Sequence, residues 1–171
     1  MQKLLLPFFF VGTIAMMIVM AKTGATLKPA TPHGILDLEF AYNTAKTAAV
    51  LKAWAPTNEL DNIAVAKTNT YWDFLFLFFY AGFLFIACKK IASKIKGPVS
   101  KAGNFIAKGA IWAGFLDILE NIGMLLTLSN HGSSAIAFAT TFVSVIKWGL
   151  AIIAVLYVLT GLLALAFRKR N

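Results

Sequence analysis

The sequence predicts an all-α membrane protein, a bundle of four transmembrane helices with an extra amphipathic helix on the outer face between spans one and two. Three observations point there. The 171 residues are 59% hydrophobic. Charged residues make up 13%, against about 25% in soluble domains. The apolar residues fall into four runs, each near the roughly 20 residues that cross a bilayer.

The first span is 4–21, LLLPFFFVGTIAMMIVMA. With Lys3 ahead of it the stretch also reads as a signal peptide, Val19-Met20-Ala21 serving as cleavage site; a retained span is expected. Pro7 falls in the first turns, where a missing N–H costs least. Residues 22–34 carry two Pro, two Gly and three Thr without periodicity and read as a loop. His33 is expected there, exposed and without a ligand partner. Residues 35–54 read as one amphipathic helix, with Leu38, Ala41, Ala45, Ala48 and Ala49 at helical spacing. It is too polar to span and suits the membrane surface or the mouth of the bundle. Asp37 and Glu39 stand near its start, where carboxylates favour the positive helix end. The alternative aims Glu39 into the bundle.

Pro56 ends that helix, and Thr57 or Asn58 is the expected cap of a short helix over 58–69. Span two is 71–88, with Tyr71 and Trp72 at the interface and Asp73 just inside it. The Phe run at 74–79 reads as lipid-facing and core bulk. Residues 89–108 form a basic connection broken at Gly97-Pro98, with Ser100 or Asn104 starting the next helix. Span three, 109–128, carries Asp117, Glu120 and Asn121 on one polar face. Gly109, Ala110, Ala113 and Gly114 allow close helix approach. Residues 130–134, NHGSS, are a tight loop. Span four, 137–167, belongs to a long helix with Lys147 as its one internal charge, expected to project, tilt or break near Gly149. Segment 22–70 is the outer-face region of a single membrane domain, 1–171.

The net charge of +9 is not a nucleic-acid signature. Lys3, the six lysines of 89–108 and Arg168, Lys169 and Arg170 carry ten positive charges with no acid among them. This positive-inside pattern puts the connection and both termini in the cytoplasm of a bacterial inner membrane, facing anionic lipid. One cysteine, Cys88, excludes an internal disulfide. There is no phosphate-binding or dinucleotide loop, serine-nucleophile elbow or zinc-helix motif. No metal, cofactor or catalytic residue is assigned.

A carboxylate in mid-membrane costs about 2.5–3.5 kcal/mol on insertion scales. Counting inward from the tight loop puts Glu120, Asp117 and Lys147 at roughly 12, 17 and 18 Å. Lys147 is therefore expected to face Asp117 or Glu120 as a structural ion pair. With Asp73 nearby, acid remains in excess. The candidate ligand-binding residues are Glu39, Asp73, Asp117, Glu120, Asn121 and Lys147.

GILDLEFA at 34–41, WDFLFLFFY at 72–80 and AGFLDILEN at 113–121 resemble a group of small bacterial four-span inner-membrane proteins. The resemblance implies that Glu39, Asp73, Asp117, Glu120 and Asn121 form one constellation. It implies no chemistry. In size, span number and buried acids the chain is also similar to the sterol-isomerase and sigma-2-receptor-like membrane fold, in which acids engage a cationic ligand or sterol intermediate.

Three functions follow as expectations. One is binding or transport of a small cationic or amphiphilic ligand at the acids. The second is a structural subunit or assembly factor for a membrane-protein partner. The third is a lipid- or isoprenoid-modifying enzyme using Asp117 and Glu120 as acid and base.

Overall fold

The computed structural model describes residues 2–58 and 60–168. Lys169 and Arg170, two charges of the basic tail, lie outside the described residues. The described chain is helical: α1 (Gln2–Thr23), α2 (Leu27–Ala30), α3 (Leu36–Glu39), α4 (Thr44–Ala53), α5 (Asn62–Ala92), α6 (Pro98–Leu126) and α7 (Ser134–Arg168). Four of them, α1, α5, α6 and α7, are long and apolar enough to cross a membrane. The short helices α2 to α4 lie between the first and second of these.

Local signals set the boundaries. Asp61 caps α5, its Oδ1 accepting from Ala64 N–H at 3.0 Å. The stretch expected as a separate helix before span two is thus largely the first turns of α5. Its cap lies three residues beyond Asn58, because a side-chain acceptor there leads directly into the helix. Gly97, at φ +78°, turns the chain into α6, and Pro98 occupies the first turn. Pro98 starts α6 before Ser100 and Asn104, because it has no N–H to leave unbonded. Between α6 and α7 the chain widens through Thr127–His131, with Asn130 left-handed at φ +62°. Ser133 Oγ then accepts from Ile136 N–H at 3.2 Å. α7 runs through Gly149 without interruption.

The helix expected over 35–54 is two helices. Asn43 is extended, at φ −151° and ψ 167°, and its side chain accepts from Lys46 N–H. A capping Asn starts a new helix at that point and so ends the old one. The break frees α3 to turn over the bundle mouth.

α6 is the most enclosed helix. Half of its most apolar window is buried, against 6% for α1. α5 and α7 pack along α6 and touch each other, whereas α1 packs along α5 alone among the long helices. Two apolar cores result. One fills the half of the bundle away from the short helices, with Leu84, Cys88, Ile91, Ala107, Ala110 and Tyr157 among its members. The small residues of α6 bring the backbones close: a Cβ on Gly114 would stand 3.0 Å from the Cβ of Ala81. The other core lies under the cap and joins Leu27, Leu38, Val50 and Trp54 to Ala66, Met124 and Leu128. Trp54 is fully buried and its Nε1–H donates to Thr31 Oγ1 at 3.2 Å.

A surface latch shapes the cap. His33 N–H donates to Asp37 Oδ2 at 2.8 Å, and the His33 ring lies 3.1 Å from Oδ1. Burial favours the neutral Asp37 carboxyl, but the His33 contacts and Thr31 outweigh it and hold the group below its ordinary 3.8. A depressed carboxyl stabilises the fold above its unfolded value and loses that contribution as pH falls through the folded one. Hydrogen-exchange protection over 31–41, corrected for intrinsic rates, should therefore drop below pH 3.8. An Asp37→Asn protein should be weaker at pH 6 and should not show that drop.

Candidate functional site

Between the two apolar cores lies a polar layer, and Lys147 is its hub. From α7 its Nζ donates to Glu120 Oε1 at 2.8 Å and to Asp117 Oδ1 at 3.0 Å. Glu39 Oε2, carried by α3, is 3.8 Å away. The expected choice between Asp117 and Glu120 does not arise, because one ammonium bridges both. Its three donors allow this.

Each carboxylate has a distinct setting. Asp117 is bonded at both oxygens: Tyr80 O–H donates to Oδ2 at 2.7 Å while Lys147 holds Oδ1. Asp73 is half-buried and its Oδ2 accepts from Asn121 Nδ2 at 2.8 Å. Glu39 enters the bundle, so the inward alternative for this residue is the observed one. Its Oε2 accepts from Trp148 Nε1–H at 3.2 Å, and its backbone carbonyl accepts from Thr141 Oγ1 at 2.9 Å. Glu120 is fully buried, and its Oε2 has no partner among the described residues.

All six candidates therefore meet in one layer, but they do not all face one space. A cavity of about 480 Å³ opens beside the layer. Glu39, Asp73, Asp117, Asn121 and Lys147 line it, and Glu120 does not. Glu120 sits behind Lys147 at the contact of α6 with α7. The rest of the lining is mainly apolar and comes from α1, α3, α5, α6 and α7.

The sequence reading did not single out Tyr80, Trp148 or the α7 hydroxyls. Tyr80 stands seven residues after Asp73, two turns along the same face of α5. Thr140 and Ser144 stand seven and three residues before Lys147, on its stripe of α7. That spacing was the available signal. Among the described residues, no three His, Cys, Asp or Glu side chains are placed to hold a metal ion.

No family model, curated protein or solved structure matches the chain.

In that geometry three carboxyl groups lie within 4 Å of one ammonium, and a fourth, Asp73, is held in the same layer by Asn121. Asp117 and Glu120 carry the structural pairing with Lys147. Asp73 and Glu39 stand at the cavity wall with carboxylate oxygens not used in that pairing. The remaining negative charge can be matched by protons or by a cationic group placed in the cavity.

Proposed function

We propose that this is a multi-pass membrane protein that binds a small amphiphile with a cationic head, seated against Asp73 and Glu39, with its apolar part along the cavity wall. The observation that carries the proposal is the excess of carboxylates over Lys147 beside a cavity whose remaining lining is mainly apolar. Ligand sites of 300–1,000 Å³ with few, convergent polar groups are typical of small-molecule binding. The packed apolar core at the far end favours binding over an open conduction path. The catalytic alternative would need Asp117 and Glu120 as an exchanging acid and base, and both are tied to Lys147. The lysine-rich connection, with both termini on its side, fits an inner-membrane orientation with that side cytoplasmic.

The test is a melting measurement on purified protein with dodecylamine, dodecanol and dodecanoate. Dodecylamine at 100 times its Kd should stabilise by about 2.7 kcal/mol. Asp73→Asn keeps an acceptor for Asn121 but removes the charge, and it should abolish most of the amine shift. Equal shifts from the amine and the alcohol, or none from either, would refute the cationic site.

A further inference from the structure

We propose that Glu120 holds a proton and gives it up when a cation settles in the cavity, so that the protein exchanges one proton for one molecule of its cationic ligand. The proposal rests on the binding reading above and adds what leaves as the ligand enters.

Glu120 is the carboxyl group of the layer that the cavity does not use. It is fully buried and does not line the cavity. Its Oε1 accepts from Lys147 Nζ at 2.8 Å. Its Oε2 is the one carboxyl oxygen, among the described residues, that is both buried and without a partner. Negative charge on that oxygen would bear the cost of leaving water with no hydrogen bond to offset it. An O–H there costs less, and the carbonyl oxygen of the neutral acid still accepts from Lys147. The facing stripe of α7 offers hydroxyls beside its one ammonium. Thr140 and Ser144 are buried on it, and Thr140 Oγ1 also lacks a partner among the described residues. Thr140 Oγ1 lies against Gly123, about one turn along α6 from Glu120.

The other carboxyl groups are less suited to hold that proton. Asp117 accepts at both oxygens, from Lys147 and from Tyr80 O–H, and is the ionised partner of the ammonium. Asp73 and Glu39 line the cavity and accept from Asn121 and Trp148. The charged and titratable groups around Glu120 are thus Lys147 of α7, Glu39 of α3, Asp117 of α6, and Asp73 and Tyr80 of α5. The α1 side chains at the cavity, Thr13, Met17 and Met20, do not titrate. With a proton on Glu120, one ammonium stands among three carboxylates. A cation arriving and a proton leaving keep the net charge of the layer as it was. Lys147 carries the coupling, since its Nζ lies 3.8 Å from Glu39 and 2.8 Å from Glu120. A cation that pairs with Asp73 and Glu39 weakens the hold of Glu39 on the ammonium, which then favours an ionised Glu120. The Oε2–H bond breaks, its electron pair stays on the carboxylate, and the proton passes to water.

The test titrates full-length protein in nanodiscs with dodecylamine, which like lysine stays charged through neutral pH. Calorimetry at one neutral pH, in two buffers with different heats of protonation, counts the protons released. Asp73→Asn nanodiscs supply the blank for amine entering lipid. The parent should release up to about one proton per amine bound, and its affinity should tighten by up to about tenfold per unit as pH rises. Glu120→Gln, which copies the protonated acid, should lose both the release and the gain with pH. In infrared spectra the ligand-free parent should show a carboxylic-acid C=O stretch that Glu120→Gln lacks and that the amine removes. Binding without proton release, or equal release from Glu120→Gln, would overturn the exchange and leave the binding reading standing. A ligand-free parent without that infrared band would overturn the exchange whatever the amine does. No heat above the blank at any pH would sink the binding reading, and the exchange with it.

Discussion

Lys147→Met should cost the protein about 3–5 kcal/mol, the range for removing one partner of a buried ion pair. The side chain keeps its length and apolar stem, so little packing is lost. What is lost is the one ammonium, among the described residues, within 4 Å of Glu39, Asp117 and Glu120. Three carboxyl groups then share a layer that Lys147 had bridged, two of them almost without solvent exposure. The diagnostic result is the rescue. Adding Asp117→Asn and Glu120→Gln to Lys147→Met should recover most of the stability, since neutralising both sides of a buried pair is often harmless. Chemical denaturation in one detergent compares all three proteins. If Lys147→Met melts like the parent, the hub is not holding the layer together. Glu120→Gln alone should be close to neutral. Its oxygen can still accept from Lys147 Nζ, so the ammonium keeps a partner there.

The pairing of Lys147 was legible because helix depth is arithmetic. Antiparallel helices joined by a tight loop put Asp117 and Lys147 at nearly equal depth, and that is where they meet. The polar face of α6 was legible only in part. Residues at i+3 and i+4 fall on either side of residue i, about 100° apart. Asn121 therefore turns to Asp73 while Glu120 turns into the contact with α7. Glu39 could be narrowed to two positions but not placed. Its position depends on a helix break whose cause, the Asn43 cap, looks on paper like any other polar residue in an amphipathic run. Tyr80 was hidden because a phenol in an aromatic stretch adds bulk to the apolar pattern without interrupting it. The cavity was not legible at all. It exists because α1 docks on α5 and leaves α7 alone, and apolar helices do not announce their neighbours.

The docking of α1 is the second place where one atom group should matter greatly. α1 buries little of itself, and two reciprocal contacts fix it to α5. Gly12 lies against the ring of Phe79, where a Cβ would fall 2.1 Å from a ring carbon. Gly82 lies against Phe9, at 2.4 Å by the same measure. Neither ring can swing aside freely, because Phe8, Phe9, Phe78 and Phe79 stack with centroids 5.3–6.2 Å apart. Ordinarily a larger residue in place of a helical glycine gains up to about 1 kcal/mol. Here the clash reverses the sign: Gly12→Leu or Gly82→Leu should each cost about 1–3 kcal/mol of overpacking. Gly149→Ala is the control. A Cβ there meets nothing within 4 Å, so this change should stabilise by about 0.5–1 kcal/mol. The loss should also be local. Asn69 Nδ2 still donates to Met20 O and Thr23 Oγ1 at one end of α1, while the layer around Lys147 is built without α1. The double variant should therefore melt in two steps, α1 first, and lose the dodecylamine shift in the first step because Thr13, Met17 and Met20 form one cavity wall. A single cooperative transition with the amine shift intact would mean that α1 is not the wall of the site.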